Sequence, residues 1–277
     1  MELFQMSLKV SLKSLVSKKL FICTFAAAAS MIILFLISPI ALIFLLVDFG
    51  LVSRSIFGVE RIADEARRAF MLTFEAASLS TLLLLISGIP LAYILARYDF
   101  KGKSTLESMI DMPFLLPHTV AGIFVLVTYG SRGPIGSLLS SIGIIIEDTY
   151  WGIVAAMAFV SAPILVNTVR DGFKSIDPTL EYVARSLGAS HARAFLTVSL
   201  PLAWRSIITG ALLSWARAVS EVGAILIVAY YPKTINVLII EWFNTYGLAY
   251  ALALTVPLLF ISVLLFATIR AVAGFRE

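Results

Sequence analysis

The chain has 277 residues, 60% hydrophobic and 14% charged, with a mean hydropathy of +0.98. That is more apolar surface than one water-soluble core can bury, which excludes an ordinary soluble domain. Twenty-one Lys and Arg against 17 Asp and Glu leave a net charge of +4, too small and dispersed for a nucleic-acid-binding protein. The lone cysteine, Cys23, excludes an intrachain disulfide and a cysteine-rich metal site, and two histidines alone supply no metal-ligand set.

In chain order, the N-terminal 20 residues read as an amphipathic cytoplasmic helix, with Leu8, Leu12 and Leu15 on one side and Lys9 and Lys13 on another. Leu20 to Val47 follows without a charge for 28 positions. This run exceeds a signal-peptide core and shows no clear cleavage site, so it reads as an uncleaved anchor. Residues 48 to 68 mix four acidic with four basic side chains, which suits a rim facing a partner or a merely solvated connection. Further spans are expected over Ala76 to Ala96, Met112 to Ser131, Thr149 to Val169, Ser206 to Ala229 and Trp242 to Ile269. A bilayer core needs about 20 apolar helical residues, which each of them offers. Pro113 and Pro117 make the first turn of the third span irregular, and Pro257 kinks the sixth. Gly133 to Ile146 is too short to cross and reads as interfacial or re-entrant.

The expected fold is therefore an all-α integral membrane protein with six transmembrane helices. Residues 21–270 form one transmembrane domain, between a segment 1–20 and a tail 271–277. Both termini then share one side, which carries 14 Lys and Arg against six opposite, with Arg217 inside the fifth span. The excess marks that side as cytoplasmic, giving a multi-pass protein of the cell membrane.

Between the fourth and fifth spans lies a cytoplasmic loop of about 35 residues, 171–205, longer than a connection requires. Asp177-Pro178 is a helix start, because the carboxylate accepts an early backbone N–H and proline suits the first turn. A short helix runs to about Leu187, Gly188 supplies a left-handed stop, and Ser190 caps a second helix through Val198 before Pro201. Leu180, Val183, Ala184 and Leu187 recur at helical spacing, while Glu181, Arg185, His191 and Arg193 provide a charged outer surface. Such a helix-turn-helix unit docks into a partner's groove or lies on the membrane surface.

Gly188, nine residues, then Val198-Ser199-Leu200-Pro201 resembles the signature loop of the membrane subunits of ATP-binding-cassette (ABC) importers. That pattern is Glu-Ala-Ala, three residues, Gly, nine residues, Ile-x-Leu-Pro. Tyr182 stands where the family usually has the glutamate, and Glu181 sits one place earlier. Pro90-Leu91-Ala92-Tyr93 before Arg97, the run from Pro113 to Gly122, Ser161-Ala162-Pro163, Ser175 to Pro178 and Ala216 to Ala224 are similar to the molybdate/tungstate branch, over roughly residues 73 to 270. The resemblance implies the type I importer permease fold, working as a pair of such subunits. Cytoplasmic ABC ATPases carry the ATP and Mg, and an external binding protein delivers the oxyanion. It also implies that Asp177, Glu181, Tyr182, Ala184, Arg185, Leu187, Gly188 and Pro201 form the ATPase-docking unit.

Within the membrane, Arg217 and Glu221 are four residues apart on one helix face and are expected to pair. The pair either switches the fifth span against its neighbours or holds it statically, and an anion-binding role for Arg217 is disfavoured because Glu221 would neutralise it. His118 is a pathway residue or a hydrogen-bonded structural one, while Pro117 and Gly122 form a backbone break where a gate flexes. With Thr119, Ser220, Arg217 and Glu221 these make the candidate pathway or gate. Small polar side chains, Thr119, Ser161, Ser214 and Ser220, would line a route that passes an anion without holding it. The chain lacks a phosphate-cradling Gly-x-x-x-x-Gly-Lys-Ser/Thr, so it is no nucleotide hydrolase and binds no cofactor of its own. A sulfate or thiosulfate permease shares much of the pattern. An ion-coupled secondary transporter would have only Glu221 as its carboxylate, and an assembly protein leaves the Gly-to-Leu-Pro spacing unexplained.

Overall fold

The computed structural model describes residues 2–59 and 61–274, with side chains for 18–59, 61–268 and 271. The stripe of Leu8, Leu12 and Leu15, Arg270 and residues 275–277 therefore lie outside the described side chains. Two compact units, Met1–Asp48 and Phe49–Glu277, make up the chain. The first unit is one helix, α1 (Glu2–Leu46), whose stretch from Lys18 to Leu46 is long and apolar enough to cross a membrane. No break in its backbone marks the boundary expected near residue 20.

The second unit is helical throughout its described regular elements. It begins with α2 (Phe49–Phe57) and the long α3 (Arg61–Arg97), followed by α4 (Lys103–Leu115), α5 (His118–Tyr129), the short α6 (Gly136–Ser141) and α7 (Tyr150–Lys174). The loop helices are α8 (Thr179–Ser186), α9 (His191–Ala194), a π-helical turn (Phe195–Ser199) and α10 (Leu200–Leu202). Then come α11 (Trp204–Val219), α12 (Gly223–Val228), α13 (Ile235–Tyr246) and α14 (Leu248–Gly274).

Its centre is α7, packed on α3 and α11. With lipid in place of water, the hydrophobic effect does not drive helices together, so close packing and internal hydrogen bonds must. The sequence supplies small residues for this: Ala66, Ala69, Ala76, Ala77 and Ala92 of α3 are buried. A Cβ at Gly88 would stand 2.7 Å from a Leu165 methyl, and one at Gly172 would stand 2.2 Å from Ser206. Ser214 Oγ donates across to the Ser161 carbonyl (3.4 Å), and Trp215 Nε1 donates to Ser78 Oγ (3.2 Å) while its ring stacks on Phe74. A second cluster of Phe70, Leu238, Trp242 and Leu254 joins α3, α13 and α14.

The all-α membrane fold is as expected, but the six crossings are not all matched by single helices. Among the described residues four helices are long and apolar enough, α1, α3, α7 and α14, or five if the pair His191–Leu202 and Trp204–Val219, bent by 68°, is one span. The third expected span is divided at Leu116-Pro117 between α4 and the 12-residue α5, because proline forces its predecessor out of helical geometry. The fifth is divided at Ser220–Val222 between α11 and α12. The sixth starts at Leu248: Asn244 and Thr245, expected at its entrance, belong to α13, which ends at Gly247 with φ 86°. Arg170 to Lys174, expected in the loop, continue α7.

Candidate functional site

The docking unit folds largely as its sequence dictates. Asp177 Oδ1 accepts the Thr179 N–H (2.9 Å), and this bond holds the Asp177 carboxyl below the usual carboxylate range. Gly188 adopts φ 93°, the left-handed conformation, with no atom near the position a Cβ would take. Ser190 Oγ accepts the Arg193 N–H (3.2 Å). The second helix does not stop before Pro201, however. Its hydrogen-bond register widens into the π turn and continues through α10 to Leu202, which absorbs the proline's missing N–H.

One expectation is reversed. Glu181, assigned to the charged outer surface, is 8% exposed and turned into the bundle. Its Oε1 accepts from Arg97 Nε (2.6 Å) and its Oε2 from Tyr93 OH (2.6 Å), both on α3. Arg97 Nη1 donates to the Phe173 carbonyl of α7 (2.8 Å), so one guanidinium ties α3, α7 and α8 together. Burial alone would raise the Glu181 pKa, but Tyr93, Ser199 and Arg97 outweigh it and hold the carboxyl below its usual range. Ser199 faces the carboxylate without completing a regular hydrogen bond. The Tyr93 ring packs edge-on against Phe173 and Phe195, walling off the pair.

With Glu181 inward, α8 offers Leu180, Tyr182, Val183 and Leu187 to the outside, the last 84% exposed. Arg185, His191 and Arg193 are exposed, as expected, Pro201 is exposed too, and Ala184 is half-buried. Sequence reasoning misses Arg97 and Tyr93 as members of this site, since they lie 84 and 88 residues from Glu181 and only the fold brings them together.

Away from the docking loop, the two helix breaks meet. Pro117 precedes α5, and a Cβ at Gly122 would stand 2.7 Å from the Ala224 carbonyl oxygen. One at Gly223 would stand 2.5 Å from His118 Cβ, so the two backbones cross in direct contact. Arg217 and Glu221 pair as expected (2.7 Å), and His118 joins them. Its Nδ1 lies 2.8 Å from Arg217 Nη2 and 3.1 Å from Glu221 Oε2. Glu221 is 1% exposed, and its Oε1 accepts the Ala224 N–H (2.7 Å). Asn236, missed in the sequence, donates to the Val219 (2.6 Å) and Glu221 (3.2 Å) carbonyls that the break frees. Thr119 and Ser220 are exposed. Ser161 and Ser214 are fully buried between α7 and α11, where they serve packing instead.

On the opposite side from the docking loop, Lys233 bridges Glu65 (2.9 Å) and Glu241 (2.8 Å), and Tyr230 OH donates to Glu241 (2.9 Å). Burial opposes the charge on Lys233, yet the two carboxylates raise its pKa. Arg61, Asp64, Arg68 and Tyr231 complete this charged recess, so the mixed rim read from residues 48 to 68 is built partly from residues 230 to 241. Among the described residues no cluster of metal-ligating side chains occurs.

Apolar spanning helices, breaks lined by an arginine and a glutamate, and an exposed helical peg at one face define a multi-pass membrane transport component. The model of the family described as "Binding-protein-dependent transport system inner membrane component" matches residues 88–275, and the chain belongs to that family. It is 51% identical over 179 residues to the molybdate/tungstate transport system permease protein WtpB of Thermococcus kodakarensis, covering 65% of this chain and 67% of the relative. It is 37% identical over 185 residues to a probable sulfate transport system permease protein, cysT, of Chlorokybus atmophyticus, 65% of each. Among solved structures, a bacterial ABC transporter involved in import of the acidic polysaccharide alginate matches with a TM-score of 0.62 at 17% identity. The match covers 89% of this chain and 96% of that one, a likeness of fold alone.

Proposed function

We propose that this chain is the membrane-spanning subunit of an ATP-driven importer for molybdate and tungstate. The observation that carries the transport reading is α8, a peg with an exposed apolar face whose glutamate is fastened to α3. Movement of a partner against that face pulls on Arg97, and through it on α3 and α7. Substrate class rests on the named relatives, whose identity to this chain falls from 51% for molybdate/tungstate to 37% for sulfate.

In this reading two copies of the chain form the pathway. Cytoplasmic ABC ATPases seat on residues 177 to 201 and carry the ATP and Mg, and an extracytoplasmic binding protein delivers the oxyanion. Both termini are cytoplasmic, on the side with the Lys and Arg excess. The charged recess around Lys233 then faces the binding protein, whose surface it would meet with charges of both signs.

The test is ATP hydrolysis in proteoliposomes holding this chain and its ATPase, with the binding protein empty or loaded with tungstate, molybdate or sulfate. Stimulation by the tungstate- and molybdate-loaded forms is expected. Stimulation by sulfate alone would reassign the substrate, and no stimulation by any form would refute an oxyanion importer.

A further inference from the structure

We infer that the His118–Arg217–Glu221 cluster is where the oxyanion in transit meets positive charge within the membrane, with Arg217 and His118 as its donors. The inference deepens the importer reading and rests on it. Four observations lead to it.

The first is depth. Arg217 stands 13 residues along from Trp204, and His118 follows the 13 residues of α4. At 1.5 Å per residue each helix runs about 20 Å from the docking-loop side before it breaks, a length shorter than a hydrocarbon core about 30 Å thick. Ionisable side chains at such a depth are costly, and they persist where they serve a path.

The second is that the two charges are unequally committed. Glu221 is 1% exposed and fixed, with one oxygen capping the Ala224 N–H and the other accepting from Arg217. Arg217 is 21% exposed. Its Nη2 is used, but its Nη1 reaches only Ser220 Oγ at 3.5 Å, the limit of a hydrogen bond. A guanidinium carries five N–H donors, so several are spare, and they front an open recess of about 370 Å³ lined by His118, Arg217, Ser220, Glu221, Val222 and Gly223.

The third is the imidazole. Both polar contacts of His118 fall on Nδ1, with Arg217 Nη2 at 2.8 Å and Glu221 Oε2 at 3.1 Å, and in the tautomer whose Nδ1 accepts from Arg217 the ring N–H is on Nε2. His118 is 60% exposed, so the recess gains a second kind of N–H. The Ser220 hydroxyl, which now donates to the Arg217 carbonyl (2.9 Å), adds a third rotatable one.

The fourth is balance. The Glu221 charge offsets the Arg217 charge, so the cluster holds a dianion by spare hydrogen bonds without the tight grip of an unpaired cation. A pathway needs such a site, since binding must be weak enough to release. Gly122 against Ala224 and Gly223 against His118 lock the two breaks together, so His118 and Arg217 move as one when α11 moves.

The test uses the complete reconstituted importer. Ser220→Cys in a Cys23→Ser background places a thiol beside Arg217. An anionic methanethiosulfonate should label it several-fold faster than the cationic analogue, and millimolar tungstate should slow the reaction. Equal rates for the two reagents, or no effect of tungstate, would overturn the inference. Uptake provides a second measurement. Arg217→Gln/Glu221→Gln removes both charges and should cut tungstate uptake about tenfold, the loss of one or two hydrogen bonds to a charged group. The swap Arg217→Glu/Glu221→Arg keeps a pair but turns a carboxylate to the recess, and should be equally poor. Should either fail to assemble, His118→Phe keeps a ring of similar shape while removing its contacts to Arg217 and Glu221, and should still lower uptake severalfold. Wild-type uptake by His118→Phe or by the swap would reduce the cluster to a static pair. Failure of the unaltered complex to take up any oxyanion would instead refute the importer reading.

Discussion

Glu181 Oε1 and Arg97 Nε are 2.6 Å apart across 84 residues of chain, with side chains 11% and 7% exposed. The only acidic side chain of α8 is therefore spent on fastening the helix to the bundle. Tyr182, at the next position and 60% exposed, occupies the outward place. The helix thus presents apolar and aromatic surface outward and keeps its ionic contact inside.

Breaking one side of this pair leaves the other charge buried. Arg97→Ala should destabilise the protein by about 3–5 kcal/mol, whereas the paired replacement Arg97→Met/Glu181→Met should cost much less. Thermal unfolding in detergent separates the two. Both variants should lose stimulation of ATP hydrolysis by loaded binding protein, because each detaches α8 from α3.

The depressed pKa of Glu181 has a sign that can be tested. A carboxyl whose folded value lies below its unfolded one stabilises the fold above the unfolded value and loses that contribution as pH falls through the folded one. Stability should therefore be flat with respect to this group near neutrality and decline below the ordinary glutamate range. Glu181→Gln should flatten that acid limb in a series of melting temperatures against pH.

Gly188 has φ 93° and open space around it. Gly188→Arg meets no clash but forces a side chain into a left-handed backbone, at about 1–2 kcal/mol. The variant should reach the membrane at normal levels while the turn between α8 and α9 is misdirected and uptake is lost. Normal uptake by Gly188→Arg would remove this loop from the coupling path.

Leu187 and Tyr182 touch little in this chain, so Leu187→Ala and Tyr182→Ala should change its own stability by less than about 0.5 kcal/mol. Copurification of the ATPase should nonetheless fall sharply, since truncating a buried aromatic or aliphatic anchor at an interface costs about 2 kcal/mol or more.

Much of this was legible in the sequence. Asp177, Gly188 and Ser190 act locally, through caps and a left-handed turn, and the chain order alone identifies them. The pairing of Arg217 with Glu221 was equally readable, because four residues is one helical turn. Span lengths were less so. Apolar runs mark what tolerates lipid, not where the backbone stays helical, and Leu116-Pro117, Ser220–Val222 and Gly247 break helices inside runs that composition treats as continuous. The inward turn of Glu181 was illegible, since helical periodicity assigns a charged side chain to the outside unless its distant partners, Tyr93 and Arg97, are known. Ser161 and Ser214 were misread for the same reason: a small hydroxyl suits a packed helix contact as well as a polar route.

Import of an oxyanion at the expense of ATP, hydrolysed by a partner seated on α8, is the core of the proposed function. Its most direct test is tungstate accumulation inside proteoliposomes containing the chain, its ATPase and loaded binding protein, with and without ATP, beside the Gly188→Arg complex. ATP-dependent accumulation against a gradient is expected in the unaltered complex and none in the variant. Accumulation without ATP, driven by an ion gradient, would contradict it and point to a secondary transporter.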